Sequence, residues 1–180
     1  MHPDVKAILF TAEQIRARVE EMAADIAADY REREPVLVGV LDGAVVFLAD
    51  LMRALPISVR VDFVKWSSYG DGASSSGEVQ LLKDLSFSVE GKHVLVVEDI
   101  VDTGLTLRYL LENLETRDVA SLAVAALLDK PSRRQAQVKL DYIGFEVPDE
   151  FVVGYGLDFA QRYRNLPYIA ALRPEVYRES

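Results

Sequence analysis

Val96-Val97-Glu98-Asp99-Ile100-Val101-Asp102-Thr103-Gly104-Leu105-Thr106-Leu107 is the stretch on which the reading of this chain turns. An apolar, β-branched run from His93 to Val97 has the composition of a strand buried on both faces of a parallel sheet. It runs into two carboxylates, then a third, and then a helix start made of small residues. Thr103 and Thr106 carry hydroxyls, Gly104 has no Cβ to crowd a ligand, and the first turn of a helix expected over Thr103–Leu114 leaves backbone N–H groups unpaired. With Asp102, these make a cradle for a phosphate, favoured further by the helix dipole. Ionised Glu98 and Asp99 can only accept hydrogen bonds, so beside a phosphate they call for sugar hydroxyls or a cation such as Mg²⁺ between them. Asp-Thr-Gly alone also suits a capped helix start with exposed acids. The whole string suits a sugar phosphate that arrives with its metal.

Outward from this turn the pattern alternates. Thr11 with Gln14 forms a capping-box signature, and Ile15, Val19, Met22 and Ile26 recur at helical spacing to about Tyr30. Pro35–Leu41 reads as a buried strand closed by Asp42-Gly43, Val45–Leu55 as a helix, and Ile57–Val64 as a strand. Ser67 to Gly77 has loop composition and is too long for a simple turn, so with a return strand at Val79–Leu82 it makes a long hairpin whose tip is a lid or a disordered segment. Val119–Leu128 and shorter runs at Tyr142-Ile143 and Phe151–Val153 complete the strands. This order predicts one α/β domain over residues 1–180: a mostly parallel twisted sheet flanked by helices, with ligands beyond the carboxyl ends of its strands.

Composition narrows the functions open to such a domain. The chain has 180 residues, half of them apolar, and a formal charge of −9. That balance disfavours a broad nucleic-acid footprint. Arg133-Arg134 and Arg162–Arg164 are the dense arginines, readable as solvated faces or as a local basic patch. No apolar run is long enough to span a bilayer. The start Met1-His2-Pro3-Asp4 lacks the basic and apolar regions of a secretory signal, and without cysteine there is no disulfide framework, so a cytoplasmic location is expected. His2 and His93 are isolated, which disfavours zinc.

The acidic string, two acids followed by Asp-Thr-Gly-x-Thr, resembles the PRPP-binding signature of the type I phosphoribosyltransferases, and further matches along the chain resemble their hypoxanthine-guanine branch. It is not a Walker A loop, so nucleotide hydrolysis is not implied. The resemblance implies the type I phosphoribosyltransferase fold, with a small hood built from the chain ends and a flexible hairpin lid at about residues 66–78. It implies that Glu98 and Asp99 hold the ribose hydroxyls, directly or through Mg²⁺, and that Asp102, Thr103, Gly104, Leu105 and Thr106 hold the 5′-phosphate. Asp102 would also lie near purine N7, as general base or to stabilise the proton distribution of the attacking base. Ser68-Tyr69 matches the pair in the catalytic lid, and Asp42-Gly43 matches the first pyrophosphate loop. A basic residue is frequent at position 42, so only a backbone contribution, notably from Gly43, carries over.

On the same footing Lys130 would donate to the exocyclic O6 of a 6-oxopurine, Phe151 would stack on the base, and the Val152 backbone would read its edge. Asp158 would bind a second Mg²⁺ near the pyrophosphate, which Arg164 would contact. Read without the resemblance, Lys130 is a surface lysine before a turn proline and Phe151–Val153 a core strand. Glu150 stands where basic residues are also found. The implied activity is purine salvage from PRPP and hypoxanthine or guanine, by a homodimer or homotetramer. Two rivals remain: a regulator that keeps the PRPP turn without turnover, and a xanthine-preferring enzyme of the same fold.

Overall fold

A computed structural model describes residues 2–68 and 79–178. After a short strand β1 (Val5–Phe10), helix α1 (Ala12–Asp29) starts at Thr11, whose hydroxyl accepts from the Gln14 N–H while the Gln14 side chain accepts from the Thr11 N–H. The capping box read from the sequence is thus formed in full. Strand β2 (Val36–Leu41), helix α2 (Val45–Ala54), strand β3 (Arg60–Ser68) and strand β4 (Val79–Lys83) follow. Next come β5 (His93–Val101), α3 (Leu105–Glu115), β6 (Ser121–Asp129), a 3₁₀ turn at Pro131–Arg133, and β7 (Tyr142–Glu146). The chain closes with β8 (Val152–Val153), β9 (Ile169–Leu172) and α4 (Pro174–Arg178).

The main sheet has the order β4-β3-β2-β5-β6-β7 and is parallel except for the β3–β4 pair. Strand alternation divides its side chains between two cores. Leu37, Leu95, Val97, Ala125 and Leu127 point to the face covered by α1 and α2. Val36, Val38, Val94, Val96, Val124 and Ala126 point to the other, where α3 inserts Leu107, Leu110 and Leu114. A strand buried on both faces has no polar rows, which is why these segments read as continuous apolar runs.

A second sheet, antiparallel in the order β1-β9-β8, joins the two ends of the chain, with Val5 opposite Leu172 and Val152 opposite Ala171. Neither β1 nor β9 was foreseen from the sequence. The β1 pairing has two register irregularities, which spoil the alternation that would have marked it. β9 is four residues long and wholly buried, so no periodicity shows. Two boundaries also move. The strand expected from Ile57 begins at Arg60, and β5 does not end at Val97 but runs on to Val101, taking Glu98 and Asp99 into the sheet. Residues 69–78, most of the expected lid, lie outside the described residues, and with them Tyr69; Ser68 is described as the end of β3, paired with Val79.

Candidate active site

Because Glu98 and Asp99 are consecutive in a strand, they leave the sheet on opposite faces. Glu98 continues the row of Val94 and Val96 and lines a cavity of about 140 Å³ with Asp102, Thr103, Gly104 and Thr106. Asp99 continues the row of Leu95 and Val97 and lines a larger cavity, of about 510 Å³, with Asp102, Lys130, Phe151, Val152 and Asp158. Ile100 and Asp102 border both. The neighbouring acids therefore serve two connected compartments rather than one.

The smaller compartment is the turn itself. Gly104 caps α3 at φ +79°, in the left-handed region that favours glycine, and a Cβ there would lie 3.0 Å from the Ala136 carbonyl oxygen. The turn is held from behind: the Gln135 and Ala136 N–H groups donate to the Thr103 carbonyl, at 2.9 and 3.0 Å. Arg134 donates from Nε to the Asp102 carbonyl at 3.2 Å and pairs with the Asp129 carboxylate. Arg134 is therefore a brace for the turn. In the sequence it reads as a solvated or patch-forming arginine, because a contact between positions 102 and 134 has no local signal. Leu105 and Thr106 present the first turn of α3 towards this compartment, Thr106 among its lining residues.

In the larger compartment Lys130 is buried, at 6 % exposure, and its Nζ donates to the Glu150 carbonyl at 2.9 Å. It is not a surface lysine. Phe151 keeps 37 % of its surface exposed, while Val152 is buried and paired into the small sheet. Asp102 has its Oδ1 buried without a hydrogen-bond partner among the described residues. Buried polar atoms are normally hydrogen-bonded, so this unpartnered oxygen stands out at the junction of the two cavities.

Burial, with the charge of Asp99 beside it, pushes the Glu98 carboxyl well above the ordinary range. Asp99 is raised to about 6, chiefly by burial and to a lesser degree by Asp158, against the opposing effects of its own hydrogen bonds and Arg164. One of those bonds is from the Ile100 N–H, at 2.7 Å. Asp158 accepts from the Gln161 N–H at 2.8 Å and is ion-paired with Arg164 at 3.0 Å, and Arg164 donates to the Gly156 carbonyl at 2.7 Å. Arg164 thus faces the acids through Asp158, and it lines the adjoining cavities rather than the one that holds Lys130.

Asp42-Gly43 abuts this cluster. The Leu41–Asp42 peptide is cis, and a Cβ on Gly43 would fall 1.7 Å from Asp99 Oδ2. Only glycine allows that approach. The Asp42 carboxylate, the acid at a position frequently basic in the resembling enzymes, is paired with Lys65 Nζ at 2.8 Å, across the register that sets Leu41 opposite Lys65. Its charge is neutralised from the neighbouring strand.

Among the described residues no three Asp, Glu, His or Cys side chains converge as a metal cage. Carboxylates that line these cavities on separate faces do fit Mg²⁺ of the kind that keeps its waters and is carried mainly by substrate oxygens, with Glu98, Asp99 and Asp158 as the groups that would hold it.

An open α/β sheet thus ends in an acidic strand, a glycine-capped helix start and a lysine-bearing cavity. The chain belongs to the phosphoribosyl transferase family, whose domain model matches residues 7–160. Within it, the chain is 50 % identical over 177 residues to the hypoxanthine-guanine phosphoribosyltransferase of Bacillus subtilis, covering 98 % of each. The enzyme of the same name from Staphylococcus epidermidis is 51 % identical, with 98 % of this chain and 99 % of that one covered. A solved hypoxanthine phosphoribosyltransferase from Staphylococcus aureus superposes with a TM-score of 0.94 at 48 % identity, over 98 % of this chain and 96 % of that one.

Proposed function

We propose that this chain is a purine-salvage enzyme that transfers the 5-phosphoribosyl group of PRPP to hypoxanthine or guanine, releasing pyrophosphate. The observation that carries this reading is the meeting of Asp99, Asp102, Lys130, Phe151, Val152 and Asp158 around one cavity of about 510 Å³ that opens beside the α3 turn. Identity of about half the residues over nearly the whole of two bacterial hypoxanthine-guanine phosphoribosyltransferases supports it.

In this reading the 5′-phosphate sits on Asp102–Thr106, against the first turn of α3, and Arg134 keeps that turn in place. Glu98 and Asp99 approach the ribose from two sides. The purine lies along Phe151 with its edge to the Val152 backbone. Lys130 exchanges its bond to the Glu150 carbonyl for one to the purine O6. A lysine is only a donor, so the amino group of adenine finds no partner there. N9 attacks the anomeric carbon as pyrophosphate leaves from the other side, inverting that centre. The open Asp102 Oδ1 takes up the purine proton. Gly43 offers its backbone and Arg164 its guanidinium on the leaving-group side. Bound Mg²⁺ would supply neutralisation of the departing pyrophosphate. Ser68-Tyr69 would close over the centre and exclude water from a transition state with oxocarbenium character.

Small-molecule substrates, a cytoplasmic setting and a homodimer or homotetramer complete the reading; no described helix is long and apolar enough to cross a membrane. The test is purified protein with PRPP and Mg²⁺ and each of hypoxanthine, guanine, xanthine and adenine, following nucleotide and pyrophosphate. IMP or GMP is expected, with little AMP. Product from none of them removes the enzymatic reading, and product from xanthine alone changes the substrate. Light scattering on the same sample gives the oligomer.

A further inference from the structure

The purine-side cavity contains several residues that the reading of the site leaves without a task, Arg133, Asp149 and Tyr177 among them. Tyr177, in the short helix α4, lines that cavity together with Phe151, Lys130 and Asp102. Its ring is stacked on Phe151, with centroids 5.1 Å apart and planes 26° from parallel, while Phe159 meets Phe151 at right angles at 5.4 Å. Phe151 still exposes 37 % of its surface. Tyr177 therefore backs one side of the ring, and Phe151 retains open surface for the cavity.

The placement of Tyr177 is built from both ends of the chain. α4 begins at Pro174, whose fixed φ suits the first helical position. Arg173, just before it, donates from its N–H to the Asp4 carbonyl at 2.9 Å and from Nε to the Pro3 carbonyl at 3.0 Å. Tyr177 also packs in a small apolar cluster with Val153, Tyr163 and Leu172, next to the strand that follows Phe151. A five-residue helix has little stability of its own, so these ties determine where the ring stands.

We infer that Tyr177 is a positioning residue for the purine: it fixes the plane of Phe151 so that base, Phe151 and Tyr177 form one three-ring stack, tuning purine affinity without touching the phosphate turn. A free Phe151 ring would lose side-chain rotation on each binding event, and a ring already held by a stacked partner does not. Offset aromatic stacking supplies the hold.

This rests on the purine reading of the cavity, and the experiment separates the two. Steady-state kinetics on Tyr177→Ala, Tyr177→Leu and Tyr177→Phe are compared with Lys130→Ala, varying hypoxanthine and PRPP in turn. Leucine keeps an apolar side chain in the cluster and removes only the ring, so it stands in if the alanine variant does not fold. The expected result is a hypoxanthine KM raised about two- to tenfold in Tyr177→Leu, the scale of one aromatic pair. The KM for PRPP and kcat stay within about twofold, and Tyr177→Phe matches the parent. An unchanged hypoxanthine KM in Tyr177→Leu, while Lys130→Ala raises it, overturns the inference alone. A lowered KM also overturns it, since Tyr177 would then occupy the space of the base. Equal rises in both KM values overturn it as a general loss of structure. An unchanged hypoxanthine KM in Lys130→Ala overturns the purine reading, and the inference with it.

Discussion

The two compartments of the site are built in opposite ways. In the proposed reading the phosphate side is one continuous piece of chain, the end of β5 and the start of α3, with only its brace, Arg134 to Ala136, supplied from further along. The purine side is collected from β6's exit at Lys130, the Glu150–Val152 segment and α4, and it depends on a three-stranded sheet whose members come from residues 5–10, 152–153 and 169–172. A local site is legible in the sequence. A collected site is exposed to every contact that holds its pieces, and it can be tuned from a distance, as Tyr177 illustrates.

The largest effect is expected where the two compartments meet. Asp102→Asn should lower turnover about 10²-fold or more, the usual scale for a positioned general base, with a much smaller change in the KM for PRPP. A pre-steady-state measurement that finds turnover unchanged would remove the proton role and leave Asp102 as a part of the phosphate turn. Next is Lys130→Ala, which takes away a buried donor on the purine side only. The loss of about 1–3 kcal/mol should appear as a roughly 5- to 100-fold rise in the KM for hypoxanthine. If the PRPP constant rises in step, the two compartments are not independent.

On the phosphate side, Gly104→Ala places a Cβ on a residue at φ +79° and 3.0 Å from a backbone oxygen. A stability loss of about 1–2 kcal/mol is expected in denaturant melts, together with weaker PRPP binding by calorimetry and an unchanged response to purine. The remaining expectation is a pH dependence. Asp99 goes from an ordinary 3.8 to about 6 on folding. Through that window the folded protein keeps a proton that the unfolded chain has given up, so the group's contribution to stability is present at low pH and is lost as pH rises through about 6. Asp99→Asn removes this slope. Its stability relative to the parent should therefore climb from pH 4 to pH 6 and level off above, in paired melts without PRPP or metal.

Much of the main sheet was legible because its strands are buried on both faces: runs such as Val36–Leu41 and His93–Val97 cannot be mistaken for amphipathic elements. The α1 start was legible because a capping box is a contact between residues three apart. The small sheet was not, since β1 is irregular and β9 too short to have a period. Asp42 looked like a misfit at its position, and the answer, Lys65, lies on another strand. Glu98 and Asp99 looked like a pair because a sequence shows adjacency. Strand geometry sends them to opposite faces.

The sequence by itself determined the layered α/β plan and the phosphate turn, because hydrophobic periodicity, capping and the left-handed glycine are properties of residues close together in the chain. Only the tertiary structure decided that Lys130 is buried, that Arg134 braces the turn, that Gly43 touches Asp99 and that Tyr177 backs Phe151. Each of these joins elements distant in sequence. Their partners are chosen by which faces of the sheet and hood the folded cores bring together, and no local pattern encodes that choice.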